Sequence, residues 1–435
     1  MWKTYTRRIL VVLVCSLVML LSIYPLEAAA VKTVKVWTGY PENVPVFEAA
    51  AADYMKEHPD VKIEVTAYNL RDSEQKYAIA LPAGTAPDLY DADGGLVNRY
   101  AGLGLLDSVP KSTENWLKDN FDQIFLDALS VNGQLYGIPW IHGFQVMYYN
   151  LDHYREAGIT APPETLDELM SHARKLAKYD SRGNLVRSGM SLRISGGGMG
   201  VAEKFEVFLF AEGGSVLKST APGKWKANFA NEAGYKALNF YLQAIHKYKV
   251  DGYNVKHDAE AFVTGATSQF NRETWVIGEA KSLAPNMNYG ICQIPRGDVQ
   301  QATNLALGGF IVPKSSKNKD IAWDFAQYIN RDKYLVQLMR DVGWIATRNG
   351  VDYSEVYAQE PHFEQALNRP ADMKLITLAN AKSTAEAYTK FAARLVDAFA
   401  DPSMTDDKTK IMKFLNDAAD EVNQILESYG EYAAE

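Results

Sequence analysis

Residues 131–150 read VNGQLYGIPWIHGFQVMYYN. Gly133, Gly137 and Gly143 stand among Tyr136, Trp140, His142, Phe144, Tyr148 and Tyr149, with Pro139 in the middle. A packed strand accounts for the aromatics. A strand end that holds something flat and rich in hydroxyls accounts for the glycines too, because a bare backbone admits a ligand closely. The choice between them depends on what lies to either side.

On the N-terminal side, TVKVW (33–37) is a short β-branched run, and VPVFEAAAADYMKEHP places Val46, Phe47, Ala50, Ala51 and Tyr54 at helical spacing before Pro59. VKIEVTAY (61–68) alternates again, EQKYAIALPAG is a helix stopped at Pro82 and Gly84, and PDLYDADGG (87–95) is a strand running into a polar loop. This β-α-β-α order predicts an α/β fold with a parallel sheet and helices on its faces. On the C-terminal side, PPETLDELMSHARKLAKY opens with a capping box, Thr165 to Glu168, and carries a stripe of Leu166, Leu169, Met170, Ala173, Leu176 and Ala177. NEAGYKALNFYLQAIHKY (231–248) carries another stripe, LALGGFIVP (305–313) is an apolar strand broken by two glycines, and KDIAWDFAQYIN (319–330) is a helix. Residues 355–430 read as almost wholly helical. No low-complexity linker interrupts the chain, so any lobes are joined by strands and not by a tether.

At 435 residues the chain exceeds the size at which one core stops growing, which predicts two lobes. It is 47% hydrophobic and 23% charged, its net charge is -8, and it has no Lys/Arg-rich block, which argues against a nucleic-acid partner. Lys3, Arg7 and Arg8 precede an apolar run from Ile9 to Ile23, and Ala28-Ala29-Ala30 offers a cleavage site near Ala30. The run is shorter than the roughly 20 residues of a membrane span, so residues 1–30 read as a secretory signal peptide and the mature chain as secreted and periplasmic. Cys15 lies inside the run after the branched Val14, an unsuitable context for lipid attachment, so the chain is not read as a lipoprotein. Removal of Cys15 leaves Cys292 alone, with no internal disulfide possible.

The order of VWTGYPE, AGTAPDLYDADGGLVNRYAGLGLLDSV, NGQLYGIPWIHGFQVMYYNLDHYREAGITAPPETLDEL, AFVTGATSQFNRETWVIG and GGFIVPKSSKNKDIAWDFAQYI, between Val34 and Asn349, resembles the extracellular solute-binding proteins of ABC importers. The likeness is to the carbohydrate-binding group that includes maltose-binding protein. It implies a type II-like periplasmic-binding-protein fold in which each lobe is a mainly parallel sheet flanked by helices, with a ligand cleft between the lobes. The first lobe would hold 31–143 and 307–353, the second 144–306 and 354–435 with a helical tail. Trp140 to Phe144 would form the first crossing, and Gly308 and Gly309 with Phe310 would mark the second. The implied partners are a carbohydrate and a pair of permease subunits, served by a monomer without cofactor or metal.

A pyranose has apolar C–H faces and a rim of hydroxyls, so its site needs aromatic surfaces and carboxylates. In parallel sheets ligands lie beyond the carboxyl ends of strands. Trp37, Tyr40 and Glu42 follow the first strand, and Asp91 and Asp93 follow a third. Trp140, His142 and Gly143 lie at the implied crossing, Trp275 stands where the family places a stacking aromatic, and Trp344 with Arg348 returns to the first lobe. Trp37 and Trp275 fit packing positions as well as stacking ones, and Trp140 and His142 fit a packed hinge. Asp91 and Asp93 fit caps of a helix starting near Gly95. DADGG lacks the later glutamate of a calcium loop. Gly143 stands where maltose-binding protein presents an acidic residue, which argues against a maltodextrin preference. SGGGMG (195–200) reads as a cleft loop, since neither G-x-G-x-x-G nor a Walker lysine accompanies it.

Enzymatic motifs are absent: there is no H-E-x-x-H, C-x-x-C or G-x-S-x-G, and the seven histidines show no metal-ligand spacing. The chain is therefore read as a binder and not an enzyme; Glu42 with Asp91 or Asp93 is the only hint of a hydrolytic carboxylate pair. A polyamine or a phosphorylated glycerol is the alternative ligand.

Overall fold

The computed structural model describes residues 31–434; the signal-peptide reading and Cys15 lie outside the described residues. Ten strands carry the architecture: β1 (Lys32–Thr38), β2 (Val61–Ala67), β3 (Leu89–Asp93), β4 (Gly137–Phe144), β5 (Val146–Asn150), β6 (Gln269–Arg272), β7 (Tyr289–Gln293), β8 (Ala302–Ile311), β9 (Ile345–Ala346) and β10 (Lys374–Thr377). From Thr33 onward β1 alternates, burying Val34 and Val36 and exposing Thr33 and Lys35. The helix Val44–Glu57 buries Val46, Phe47, Ala50, Ala51 and Tyr54 and ends at His58, the residue before Pro59.

The larger sheet runs β9-β4-β8-β3-β1-β2, with β10 joined to β8. β1 pairs in parallel with β2 and β3. β8 is antiparallel to both β3 and β4, with Gly308 opposite Asp93 and Leu305 opposite Phe144. β4 and β8 outlast β3 at one end. Beyond Gln145 the chain continues directly as β5, which forms the centre of a second sheet, β6-β5-β7.

Here the structure departs from the expected mainly parallel sheet in each lobe. β6 and β7 are both antiparallel to β5, and parallel pairing survives only as isolated bridges such as Ser191 to Phe270. The reason is connectivity. β5 leads outward from the crossing, and β7 leads back toward β8, so the return strand runs against the outgoing one. The reading of 355–430 as almost wholly helical also needs correction, because β10 interrupts it and pairs Lys374–Thr377 with Ala302–Leu305.

Separate buried clusters form on the two sheets. One joins β1 and its helix to Trp140, Phe310, Trp323 and Leu335. Another gathers Phe205, Leu209, Leu238 and Tyr241 with Phe391, Leu395, Leu415 and Val422 of the tail helices Thr384–Phe399 and Lys408–Ser428. The helix Gly200–Ala211 lies within this second cluster and is buried all round, Lys204 and Glu206 included; Glu203 is its only residue that is not buried. A third cluster forms the seam between the sheets, where Phe144, Val146, Val276 and Ile277 meet Met339 and Ile345. No helix among the described residues is long and apolar enough to cross a membrane.

Candidate functional site

The carboxyl end of β3 opens on a cavity of about 460 Å³ between the two sheets. Asp93, Gly94 and Gly95 line it on one side, Glu203 and Glu273 on the other, and Asn304–Leu307 of β8 and Thr377–Asn380 form its walls. Asp93 lies just before the helix Gly95–Gly102, whose N-cap residue is Gly94. Its Oδ1 accepts the Gly95 N–H at 2.8 Å at the start of the helix, and the residue also lines the cavity. Burial pushes its carboxyl up to about 6, against the lowering effect of that N–H.

Glu203 faces Asp93's side of the cavity from the opposite wall. Burial, reinforced by the negative charge of Asp93, pushes its carboxyl up to about 7. Glu273 is in a different state. Burial acts to raise it, but Lys204 at 3.6 Å and Arg272 at 2.9 Å outweigh that cost and hold it at about 2. The Lys204 ammonium also donates to the Asn271 carbonyl at 3.1 Å, and burial pushes it down to about 7.

Gly143 sits where the two halves touch. A Cβ there would lie 2.9 Å from Cζ3 of Trp344 and 3.2 Å from Cβ of Glu273. Trp344 meets Tyr40 edge-on at 5.9 Å, and burial raises the Tyr40 phenol well above its ordinary value. Trp275 opens the helix Trp275–Leu283, half-buried, with the Arg272 guanidinium 5.1 Å from its ring centre. Tyr40, Trp344, Gly143 and Trp275 thus gather around the seam beside Glu273. The loop Ser195–Gly200 also reaches between the halves. Gly200 folds against Arg193, and a Cβ on Gly198, whose φ is +68°, would lie 3.3 Å from Cζ of Arg71 on the opposite side.

Other expected site residues lie elsewhere. Trp140 is wholly buried, 5.0 Å from Phe47 and 4.9 Å from Phe310, so Trp140 and Phe310 belong to the core. Gly308 and Gly309 are bare for strand packing and not for a ligand or a hinge. Added Cβ atoms would lie 2.7 Å from Ile141 and 2.8 Å from Leu129. Asp91 is fully buried and accepts from the Thr38 hydroxyl at 2.8 Å, tying β1 to β3; burial pushes its carboxyl up to about 7. His142 packs 5.1 Å from Phe125, and burial, helped by Arg369, pushes it down to about 3. Arg348 is paired with Asp332, Glu42 is exposed on the turn Pro41–Asn43, and neither lines the cavity. Trp37 is half-buried against Tyr68 at 5.2 Å.

Sequence reasoning missed Glu203, Glu273 and Asn304. A signal existed for Glu203, since Glu203, Lys204 and Glu206 interrupt an otherwise apolar helix directly after SGGGMG. Asn304 carried none. It is an ordinary polar residue in a strand, placed in the cavity wall only by the pairing of β8.

Two α/β halves joined by continuous strands, with a cavity at the seam, define the class of two-lobe periplasmic binding proteins. The chain belongs to the bacterial extracellular solute-binding protein family, whose profile matches residues 49–365. It is 25% identical to the maltotriose-binding protein of Pyrococcus abyssi over 312 residues, 70% of this chain and 64% of that protein. It is 26% identical to the lactose-binding protein of Rhizobium radiobacter, over 69% of this chain and 71% of that one. Among solved structures it shares its fold with an ABC transporter solute-binding protein from Thermotoga lettingae bound with α-D-tagatose, at a TM-score of 0.77 and 21% identity, covering 91% of this chain and all of that one. The GacH receptor of Streptomyces glaucescens matches at a TM-score of 0.75 and 19% identity, covering 91% and 98%.

Proposed function

We propose that this chain is the sugar-capturing component of an ABC importer, holding a mono- or oligosaccharide between its lobes and delivering it to a pair of membrane permease subunits. The observation that carries this reading is the cavity between the two sheets, lined by Asp93, Asp127, Glu203 and Glu273 with Asn304 and Thr377. Carboxylates accept hydrogen bonds from sugar hydroxyls, and the Asn304 amide and Thr377 hydroxyl can return them. Relatives named for maltotriose and lactose support it. The lobes are taken as 31–143 with 307–353 and 144–306 with 354–435, residues 1–30 as a removed signal peptide, and the mature protein as a periplasmic monomer. Ligand touches both lobes only when they are closed, so binding shifts the population toward the closed form that the permease would recognise. No reaction is assigned: Asp91 is buried in the sheet and Glu42 is exposed, so the hydrolytic pair suggested by the sequence is not assembled.

A thermal-unfolding screen tests the reading. A saccharide at saturating concentration is expected to raise the midpoint by a few degrees, because it binds only the native state. Shifts from diamines or phosphate esters alone would overturn it. With the best saccharide in hand, Gly143→Val is expected to weaken binding by about tenfold or more, because its side chain occupies the space of the Trp344 ring. Calorimetric titration measures this, and unchanged affinity would show that Gly143 does not govern the fit of the seam.

A further inference from the structure

A line of polar groups runs behind the cavity and meets it at both ends. It starts at Glu273, which lines the cavity. Behind Glu273, at 3.6 Å, the Lys204 ammonium donates to the Asn271 carbonyl at 3.1 Å. The Asn271 side-chain amide donates in turn to Oε1 of Gln145. Gln145 is the single residue between β4 and β5, so it occupies the crossing itself, and it is wholly buried. Its carbonyl accepts the hydroxyl of Thr303, on β8, at 2.9 Å. The line ends at Asn304, the next residue of β8, which lines the cavity again.

Two atoms in this line have no hydrogen-bond partner, and they are complementary. Nε2 of Gln145 is a buried donor, and Oδ1 of Asn304 is a buried acceptor. The pairing of β4 with β8 ends with Phe144 opposite Leu305, so the next residue on each strand, Gln145 and Asn304, is the other's neighbour, and their side chains share one face of the sheet. Gly143 and its partner Ala306 lie on that face too, and a Cβ on Gly143 would meet Glu273, so it is the face turned to the cavity. Because Oδ1 of Asn304 is closed off, the part of its amide that meets the cavity is the N–H group. A buried donor and a buried acceptor left apart each cost stability, and one hydrogen bond between them relieves both.

We propose, resting on the sugar-capture reading above, that Gln145 is a positioning residue for the ligand: with sugar seated in the cavity its Nε2 donates to Oδ1 of Asn304, which holds the Asn304 N–H toward a sugar oxygen. A sugar oxygen that accepts from this amide polarises it and makes its carbonyl a better acceptor for Gln145. Ligand and crossing therefore favour the same arrangement, and the sugar acts on the chain segment that joins the lobes through one amide.

The test is a double-mutant cycle of Gln145→Met, which keeps the bulk and removes the amide, with Asn304→Ala. The probe is whichever of glucose, galactose, lactose, cellobiose and maltotriose gives the largest thermal shift, titrated calorimetrically into the full-length mature protein. Each single variant is expected to weaken binding by about fivefold or more, and the double variant by no more than about twofold beyond Asn304→Ala alone. In urea unfolding without sugar the two substitutions are expected to be additive within about twofold in the equilibrium constant, because the bond between them is not made in that state. Wild-type affinity in Gln145→Met, or losses of affinity that multiply, overturns the inference and leaves sugar capture standing. A second measurement needs no variant: in the wild-type protein the side-chain amide proton resonances of Gln145 are expected to move downfield when the same saccharide is added to saturation, and unmoved resonances overturn the inference. If no saccharide of the five gives a shift, the sugar-capture reading falls and this inference falls with it.

Discussion

Trp140→Ala is expected to lose about 3–5 kcal/mol of unfolding free energy while the folded protein keeps its ligand affinity within about twofold. The indole is wholly buried in the cluster beneath β1, between Phe47 at 5.0 Å and Phe310 at 4.9 Å. Removing it opens a cavity among rings that cannot collapse into the gap, so the lost transfer energy and the void add. Its Nε1 has no hydrogen-bond partner, so nothing polar is lost with the ring. Trp140→Phe should therefore recover most of the stability. Denaturant unfolding without ligand, followed by calorimetric titration, checks both halves of this expectation. A tenfold loss of affinity in a protein of normal stability would place Trp140 in the site after all.

The second large effect is a pH dependence located at one residue. Glu206 is buried where the helix Gly200–Ala211 meets the strand Ser215–Ala221 and the helix Thr384–Phe399. It accepts the Val216 N–H at 2.8 Å and the Tyr388 hydroxyl at 2.8 and 2.9 Å. Burial, helped by the charge of Glu203, pushes its carboxyl up to about 8, outweighing the lowering effect of these bonds. Between the ordinary glutamate value and about 8 the native chain keeps a proton that the unfolded chain releases. The stability this group contributes is therefore full at low pH and is lost as pH rises through that window. Glu206→Gln does not titrate. Relative to wild type it should gain with pH, by at most roughly 4–5 kcal/mol between pH 5 and pH 9. The extra amide N–H of Gln adds a cost that does not vary with pH, so only the slope is diagnostic. Urea unfolding of both proteins at the two pH values measures it, and a difference that stays constant would refute the assignment.

The parts of the fold that could be read from sequence were those governed by local periodicity. The β1 alternation and the Val44–Glu57 stripe came out as their spacing demands, because each buries one face against neighbours close in sequence. The antiparallel second sheet was not readable, since strand direction there depends on how β7 returns to β8 and not on any residue in the strands. The site divided along similar lines. Asp93 lines the cavity, whereas Gly143, Trp275, Tyr40 and Trp344 meet at the seam beside Glu273 without lining it. Trp140, Phe310, Gly308 and Gly309 belong to packing, because an aromatic or a glycine beside a crossing looks the same whether it faces a ligand or a neighbouring strand. Glu203 could have been suspected from the charges that interrupt its apolar helix, whereas Asn304 reaches the cavity wall only through the pairing of β8, which no local pattern records.

The place of β8 between β3 and β4 has a consequence for how the chain is made. β1, β2 and β3 emerge from the ribosome early, yet β3 has no partner on its far side until Ala302–Ile311 has been synthesised. Until then one edge of the sheet is bare, and residues 145–301 must be made before it can be covered. The nascent protein therefore spends most of its synthesis unfinished, open to chaperones and to any machinery that requires an unfolded chain. The first half gains its central strand only after the second sheet has been made, when β8 covers β3 and ties one half to the other.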